Sequence, residues 1–229
     1  MNDLDRARAR YVERDANPEL SGFWTLTNPV VVHLMQERER AVLRGLLHTG
    51  MRTADVSLLD VGCGRGQEFA SYLRLGIPAH QIFGVDLSEH RVENAKAQGV
   101  GHVELASGSA LPFESNSFDL VVQNVVFSSI IDAVTRQAVA TEMLRVLRPG
   151  GWLLWYDAGQ VASKDPHFRG VPKHEVLSMF PAVRWKWQRI TTHLGLLRRI
   201  YTVFGERGMR VFDLSGLFKT HLLGWGQKQ

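Results

Sequence analysis

The chain has 229 residues, 45% of them hydrophobic and 22% charged, which is enough to bury a sizeable core in one α/β domain. No apolar run approaches the ~20 residues that span a bilayer, and the amino end (residues 3–10) lacks the apolar core of a secretory signal, so a cytoplasmic location is expected. The net charge of +4 is modest, Cys63 has no second cysteine to pair with, and the nine histidines show none of the Cys/His clustering of a zinc site.

In chain order, residues 2–15 and 30–49 are expected to be helical, with Asn17-Pro18 and Asn28-Pro29 breaking the chain. Val56 to Leu59 then reads as a buried strand that opens into Asp60-Val61-Gly62-Cys63-Gly64-Arg65-Gly66. Glycines at alternate positions let the backbone turn sharply against a ligand, and a helix over 65–75 is expected to offer unpaired N–H groups. Inside that loop Cys63 reads as a small packing residue.

The dinucleotide fingerprint needs G-x-G-x-x-G, but position 67 is Gln. Asp60 at the strand end would repel a pyrophosphate and hold a cationic amino-acid head. Both points favour S-adenosylmethionine over NAD. Gln81 to Asp86 is a second short strand, and its terminal carboxylate stands twenty residues after Gly66, where a ribose-binding acid belongs. Ser88 follows as the expected cap of a helix over 89–98. Strand 120–123, helix 133–147, the turn Pro149-Gly150-Gly151 and a continuously apolar strand at 152–156 complete the alternation of a parallel, doubly wound sheet.

Five ordered segments resemble the class I S-adenosylmethionine-dependent methyltransferases, and within them the small quinone-biosynthesis-like, type 11 group. They are Leu59 to Gly66, Gly84-Val85-Asp86-Leu87-Ser88, Leu111-Pro112-Phe113, Ser117 to Val122 and Arg145 to Gly151. The resemblance implies a Rossmann-like, seven-stranded, mostly parallel sheet with helices on both faces, an antiparallel edge strand and the cofactor lying across the strand ends. It implies cofactor contacts at Asp60, Gly62, Cys63, Gly64, Gly66, Asp86, Leu87, Ser109, Ala110 and Asn124. Where the family usually has an acid for the adenine amino group, this chain has Gly108-Ser109-Ala110. The expected layout is a helical cap at 1–55, a cofactor-binding core at 56–157 and substrate-side elements at 158–229.

Beyond Asp157 the sequence is turn-rich, with a helix expected near 173–180, strands at 183–188 and 219–225, and between them an apolar stretch, 194–204, carrying Arg198 and Arg199. Residues 184–229 hold nine Lys or Arg against two Asp or Glu, a net of +7, so the first 183 residues carry −3. That suits an anionic substrate or an anionic membrane surface. Nucleic acid is disfavoured, because no recognised reader motif is present and 124–127 lacks the Asn-Pro-Pro-aromatic segment of many base-amine methylating enzymes. The 194–204 stretch reads either as a lid helix or as a peripheral membrane contact.

Removing a proton from an oxygen acceptor needs a side chain of suitable pKa. His167, His174 and His193 are the leading candidates, with His33, Asp157 and Tyr156 beside them. The expected activity is methyl transfer to a hydroxyl of a saccharide, glycolipid or secondary metabolite, a lipid-linked acceptor included. Carbon methylation of a prenylated quinone precursor and a non-catalytic cofactor-binding role are the alternatives.

Overall fold

The computed structural model describes residues 25–159, 161 and 165–229. The helix expected over 2–15 lies outside them. Helix α1 (Pro29–Thr49) starts where Asn28 accepts a hydrogen bond from the Val30 N–H and Pro29 presets the first turn, and it stops at Gly50 in the left-handed region. Its buried face runs Val30, Leu34, Glu37, Ala41, a helical spacing with one acid in it.

Seven strands follow: β1 (Leu58–Val61), β2 (Ile82–Asp86), β3 (His102–Leu105), β4 (Phe118–Asn124), β5 (Leu147–Ala158), β6 (Val183–Thr192) and β7 (Lys219–Lys228), in the spatial order β3-β2-β1-β4-β5-β7-β6. The first five pair in parallel. β7 runs antiparallel to both of its neighbours, so the reversed strand stands one place in from the edge, with β6 outside it. Helices α2 (Phe69–Arg74), α3 (Glu89–Ala97), α4 (Ala133–Val146), α5 (Lys173–Met179) and α6 (Leu194–Leu214) accompany the sheet.

Strand residues alternate between two cores, one on each face. Leu59, Val121, Leu153 and Trp155 pack with Val139 and Met143 of α4 and Val176 of α5. Leu58, Leu120, Leu154 and Tyr156 pack with Phe69 and Tyr72 of α2 and Val92 of α3. Parallel strands covered on both faces read as continuous apolar runs for this reason.

Two expectations shift. The glycine loop does not enter a helix at 65, because turns occupy the chain until α2 begins at Phe69. The apolar stretch at 194–204 belongs to a longer α6 that kinks at Gly205 (φ 60°, ψ −159°). Leu197 and Met209 of α6 bury against Val30 and Leu34 of α1, whereas Phe204 and Leu214 are 69% and 88% exposed. No helix among the described residues is long and apolar enough to cross a membrane.

Candidate active site

Strand register brings the key residues to one level. Val61 pairs with Val85 and with Gln123, so Gly62, Asp86 and Asn124 stand side by side at the strand ends, and Asn124 pairs with Tyr156. Ala158 then pairs with His221, because the reversed β7 starts where the parallel strands finish. These ends open into a cavity of about 820 Å³, lined among others by Asp60, Gly62, Asp86, Asn124, Tyr156 and His221.

Asp60 is fully buried. Its Oδ2 accepts a hydrogen bond from Tyr72 Oη at 2.9 Å, and that hydroxyl accepts one from Asn124 Nδ2 at 3.3 Å. Oδ1 has no partner. Burial pushes the Asp60 carboxyl up to about 7, against the pull of the Tyr72 hydrogen bond. An ammonium meeting Oδ1 would satisfy the orphaned oxygen and favour the ionised form, so this corner fits a cationic amino-acid head.

The loop itself has few donors left for an anion. The N–H groups of Gly62 and Cys63 donate to Val85 O at 2.8 and 3.0 Å, that of Gly64 to Asp86 Oδ2 at 2.9 Å, and that of Gly66 to Cys63 O at 3.0 Å. β2 and the turn before α2 therefore take up the N–H groups of Gly62, Cys63, Gly64 and Gly66, which the loop was expected to offer to a ligand. Gly62 has a left-handed φ of 76°, and a Cβ there would stand 2.5 Å from the Val126 side chain. Asp86 accepts the Ser88 N–H at 2.9 Å on its other oxygen, which leaves lone pairs on both oxygens for hydroxyl donors.

Cys63, Gly64 and Leu87 also line the cavity. The Cys63 thiol is pushed far up by burial and then by Asp60, which makes it a packing group. Gly66 stays outside the cavity and forms the turn instead, where a Cβ would stand 3.0 Å from the Phe69 ring. Ser109 and Ala110 are not in the cavity wall either. A tight turn, closed by the Ala110 N–H on Ser107 O at 3.0 Å and by Ser109 Oγ against Ser107 Oγ at 2.8 Å, puts Ala106 and Gly108 there instead.

Of the histidines singled out above, His167 and His174 are exposed and not in the cavity lining. His33 lies outside the lining beside Asp213 at 3.6 Å. His193 lines the rim just ahead of α6. Asp157 is buried outside the cavity, its oxygens accepting the Ser128 and Ala158 N–H groups at 3.2 and 2.8 Å, and burial pushes it up to about 6. Tyr156 is in the wall, but burial raises its phenol to about 12, so it stays protonated at neutral pH.

Sequence reasoning missed Arg38 and His221. Arg38 reaches the cavity from the inner face of α1, ion-paired to Glu68 and 5.4 Å from the Tyr156 ring centroid. Its signal was the spacing from Leu34 and Ala41. His221 stacks on Tyr156 at 5.1 Å and is held down at about 4 by burial and then by Arg38. Val125 (φ 56°) and Thr191 (φ 65°), both β-branched and both in the left-handed region, also line this cavity. Strain of that kind collects at functional sites.

The sheet order, the glycine turn and the two strand-end carboxylates define a Rossmann-like nucleotide-binding fold built for a cationic ligand. Residues 59–155 match the family described as "Methyltransferase domain". An uncharacterized protein of Haemophilus influenzae is 30% identical over 189 residues, 76% of this chain and 73% of that protein. A demethylmenaquinone methyltransferase of Geobacillus kaustophilus is 34% identical over 108 residues, 44% of this chain and 45% of that enzyme. Geranyl diphosphate C-methyltransferase from Streptomyces coelicolor shares the fold, with a TM-score of 0.63 at 16% identity over 87% of this chain and 81% of that one. The chain belongs to the class I S-adenosylmethionine-dependent methyltransferases, in the type 11 group.

Proposed function

We propose that this methyltransferase acts on a hydroxyl oxygen of a small molecule, of the saccharide, glycolipid or secondary-metabolite class. The observation that carries the reading is the polar acceptor-side wall, lined by Tyr156, Thr191, Thr192, His193, Thr220 and His221, whose hydroxyls are tied together, Tyr156 Oη to Thr191 Oγ1 at 2.7 Å and Thr220 Oγ1 to Thr191 O at 2.9 Å. Such a wall suits an acceptor that is itself hydroxylated.

Asp60 is assigned to the amino group of the cofactor, Asp86 to the ribose hydroxyls, and Gly62 and Gly64 to the close backbone approach. Leu87, Ala106 and Gly108 would border the adenine, and Asn124 holds the Tyr72 hydroxyl that orients Asp60. When bound, S-adenosylmethionine supplies a methyl group already activated on a sulfonium. The protein's remaining tasks are to align the acceptor and exclude water. Val31, Leu34 and Met35 from α1 close the cavity with apolar side chains, and α6 holds α1 in place.

Carbon methylation of a prenylated ring is the second reading, favoured by the same apolar wall. Transfer from methyl-13C-labelled cofactor to hydroxylated and quinone-like acceptors separates the two, since a methoxy carbon and a ring methyl carbon differ widely in chemical shift. Methoxy product supports the proposal; ring methyl alone replaces it with the second reading.

A further inference from the structure

Thr191 and Thr220 stand opposite each other between the ladder pairs Ile190↔His221 and Thr192↔Lys219. Instead of a backbone pair, Thr220 Oγ1 donates its single proton to Thr191 O at 2.9 Å. The same Oγ1 lies 2.9 Å from His221 Nδ1. With its proton already committed, that oxygen meets the ring only as an acceptor, so Nδ1 carries the hydrogen. Nε2 is left with a free lone pair. It has no hydrogen-bond partner among the described residues, and it is not among the fully buried orphan atoms, so it keeps access to the cavity.

We propose that His221 is the proton acceptor for the methylated hydroxyl, fixed in the Nδ1–H tautomer by Thr220 and Thr191. The assignment rests on the hydroxyl reading above. The acceptor's O–H bond breaks with its electron pair left on oxygen, the pair that replaces the one given to the methyl group. The proton forms an N–H bond at Nε2, and the imidazolium then releases it to water at the cavity mouth.

Arg38 from α1 acts on the ring and Tyr156 from β5 stacks against it, while His193 ahead of α6 and the uncharged Thr191 and Thr192 of β6 line the same cavity; Lys219 on its own strand is paired with Glu37 of α1 and Asp213 of α6. Burial and Arg38 hold the imidazole down at about 4, so Nε2 is free throughout the neutral range. A base this weak takes the proton late, once the forming O–CH3 bond has made the oxygen strongly acidic. Tyr156 stays protonated at neutral pH and His193 is outside the threonine relay, so neither competes.

Long-range 1H–15N correlation spectra of the full chain read the tautomer directly. Nε2 is expected unprotonated from pH 8 to about 5. Thr220→Val is expected to let the proton move to Nε2, and Thr220→Ser to restore the original pattern. With catechol as the hydroxyl probe and the cofactor saturating, His221→Gln is expected to lower kcat by about 10²–10⁴-fold while S-adenosylhomocysteine binds as before. A protonated Nε2 in the native chain, or full kcat in His221→Gln, would overturn the assignment of His221. Methylation of catechol on carbon alone, with the tautomer as described, would instead overturn the hydroxyl reading beneath it.

Discussion

Asp60 couples stability to binding. Its folded-state carboxyl titrates near 7, above the ordinary value near 3.9 of an unfolded chain. Its contribution to stability is therefore complete below about pH 4 and is lost as the pH rises to about 7. Asp60→Asn is accordingly expected to raise the melting temperature of the cofactor-free protein at pH 8, and to leave it almost unchanged at pH 4. The same substitution is expected to weaken S-adenosylhomocysteine, since an uncharged amide cannot match the ammonium. A fall in melting temperature at pH 8 with unchanged affinity would remove Asp60 from the site. Asp86→Ala is expected to weaken the ligand by about 1.5–3 kcal/mol, the range for hydrogen bonds to a charged group, as read by titration calorimetry. Both acids were legible because each ends an apolar run beside a glycine turn or a helix start, which is local information. His221 was not, since its role comes from a register with Ala158 and Ile190 that no local pattern encodes.

Arg136 ties α4 to the segment after β5. It is fully buried, with Nε on Ile130 O at 2.6 Å, one guanidinium nitrogen on Glu175 at 2.6 Å and the other on Arg169 O at 3.0 Å. Removing the guanidinium strands two carbonyls and leaves Glu175 to Arg169, which holds its other oxygen at 2.6 Å, so Arg136→Met is expected to cost about 1–3 kcal/mol in denaturant unfolding. Faster hydrogen exchange is expected across 165–175, the segment that brings Phe168 to the cavity; unchanged exchange there would mean that Arg136 does not anchor it. Helix starts were readable where a local signal announces them, as at the chain break Asn28-Pro29 and at Ser88, which stands at the N-cap of α3. α2 was misjudged because its glycine-rich approach has no cap, and Glu68 makes no side-chain cap bond. The length of α6 was missed because Gly205, a helix breaker by propensity, sits at a kink that the helix survives.

At the scale of the whole molecule, the parallel core could be read from its alternating runs, whereas the place of β7 inside β6 depends on pairing across the sheet. There Gly224 and Gly226 leave room for the stacked Trp185 and Trp187 rings. The second half of α6 and the turn after it keep several apolar side chains in the open. Val203, Phe204, Val211, Leu214, Leu217 and Phe218 are exposed in a segment that also exposes Arg199, Arg207 and Arg210. Apolar groups among cations match an anionic lipid surface, further along the chain than 194–204 alone. Flotation with anionic liposomes is expected to carry the protein upward, and Phe204→Ser with Arg207→Glu to abolish this; equal flotation with neutral vesicles, or none, would argue against membrane contact. The measurement that tests the account most directly is calorimetric titration with S-adenosylhomocysteine, NADH in parallel, between pH 5 and 8. The account predicts binding of S-adenosylhomocysteine alone, weakening as the pH falls below about 7, where Asp60 takes up its proton; binding of NADH, or an affinity that Asp60→Asn leaves intact, would contradict it.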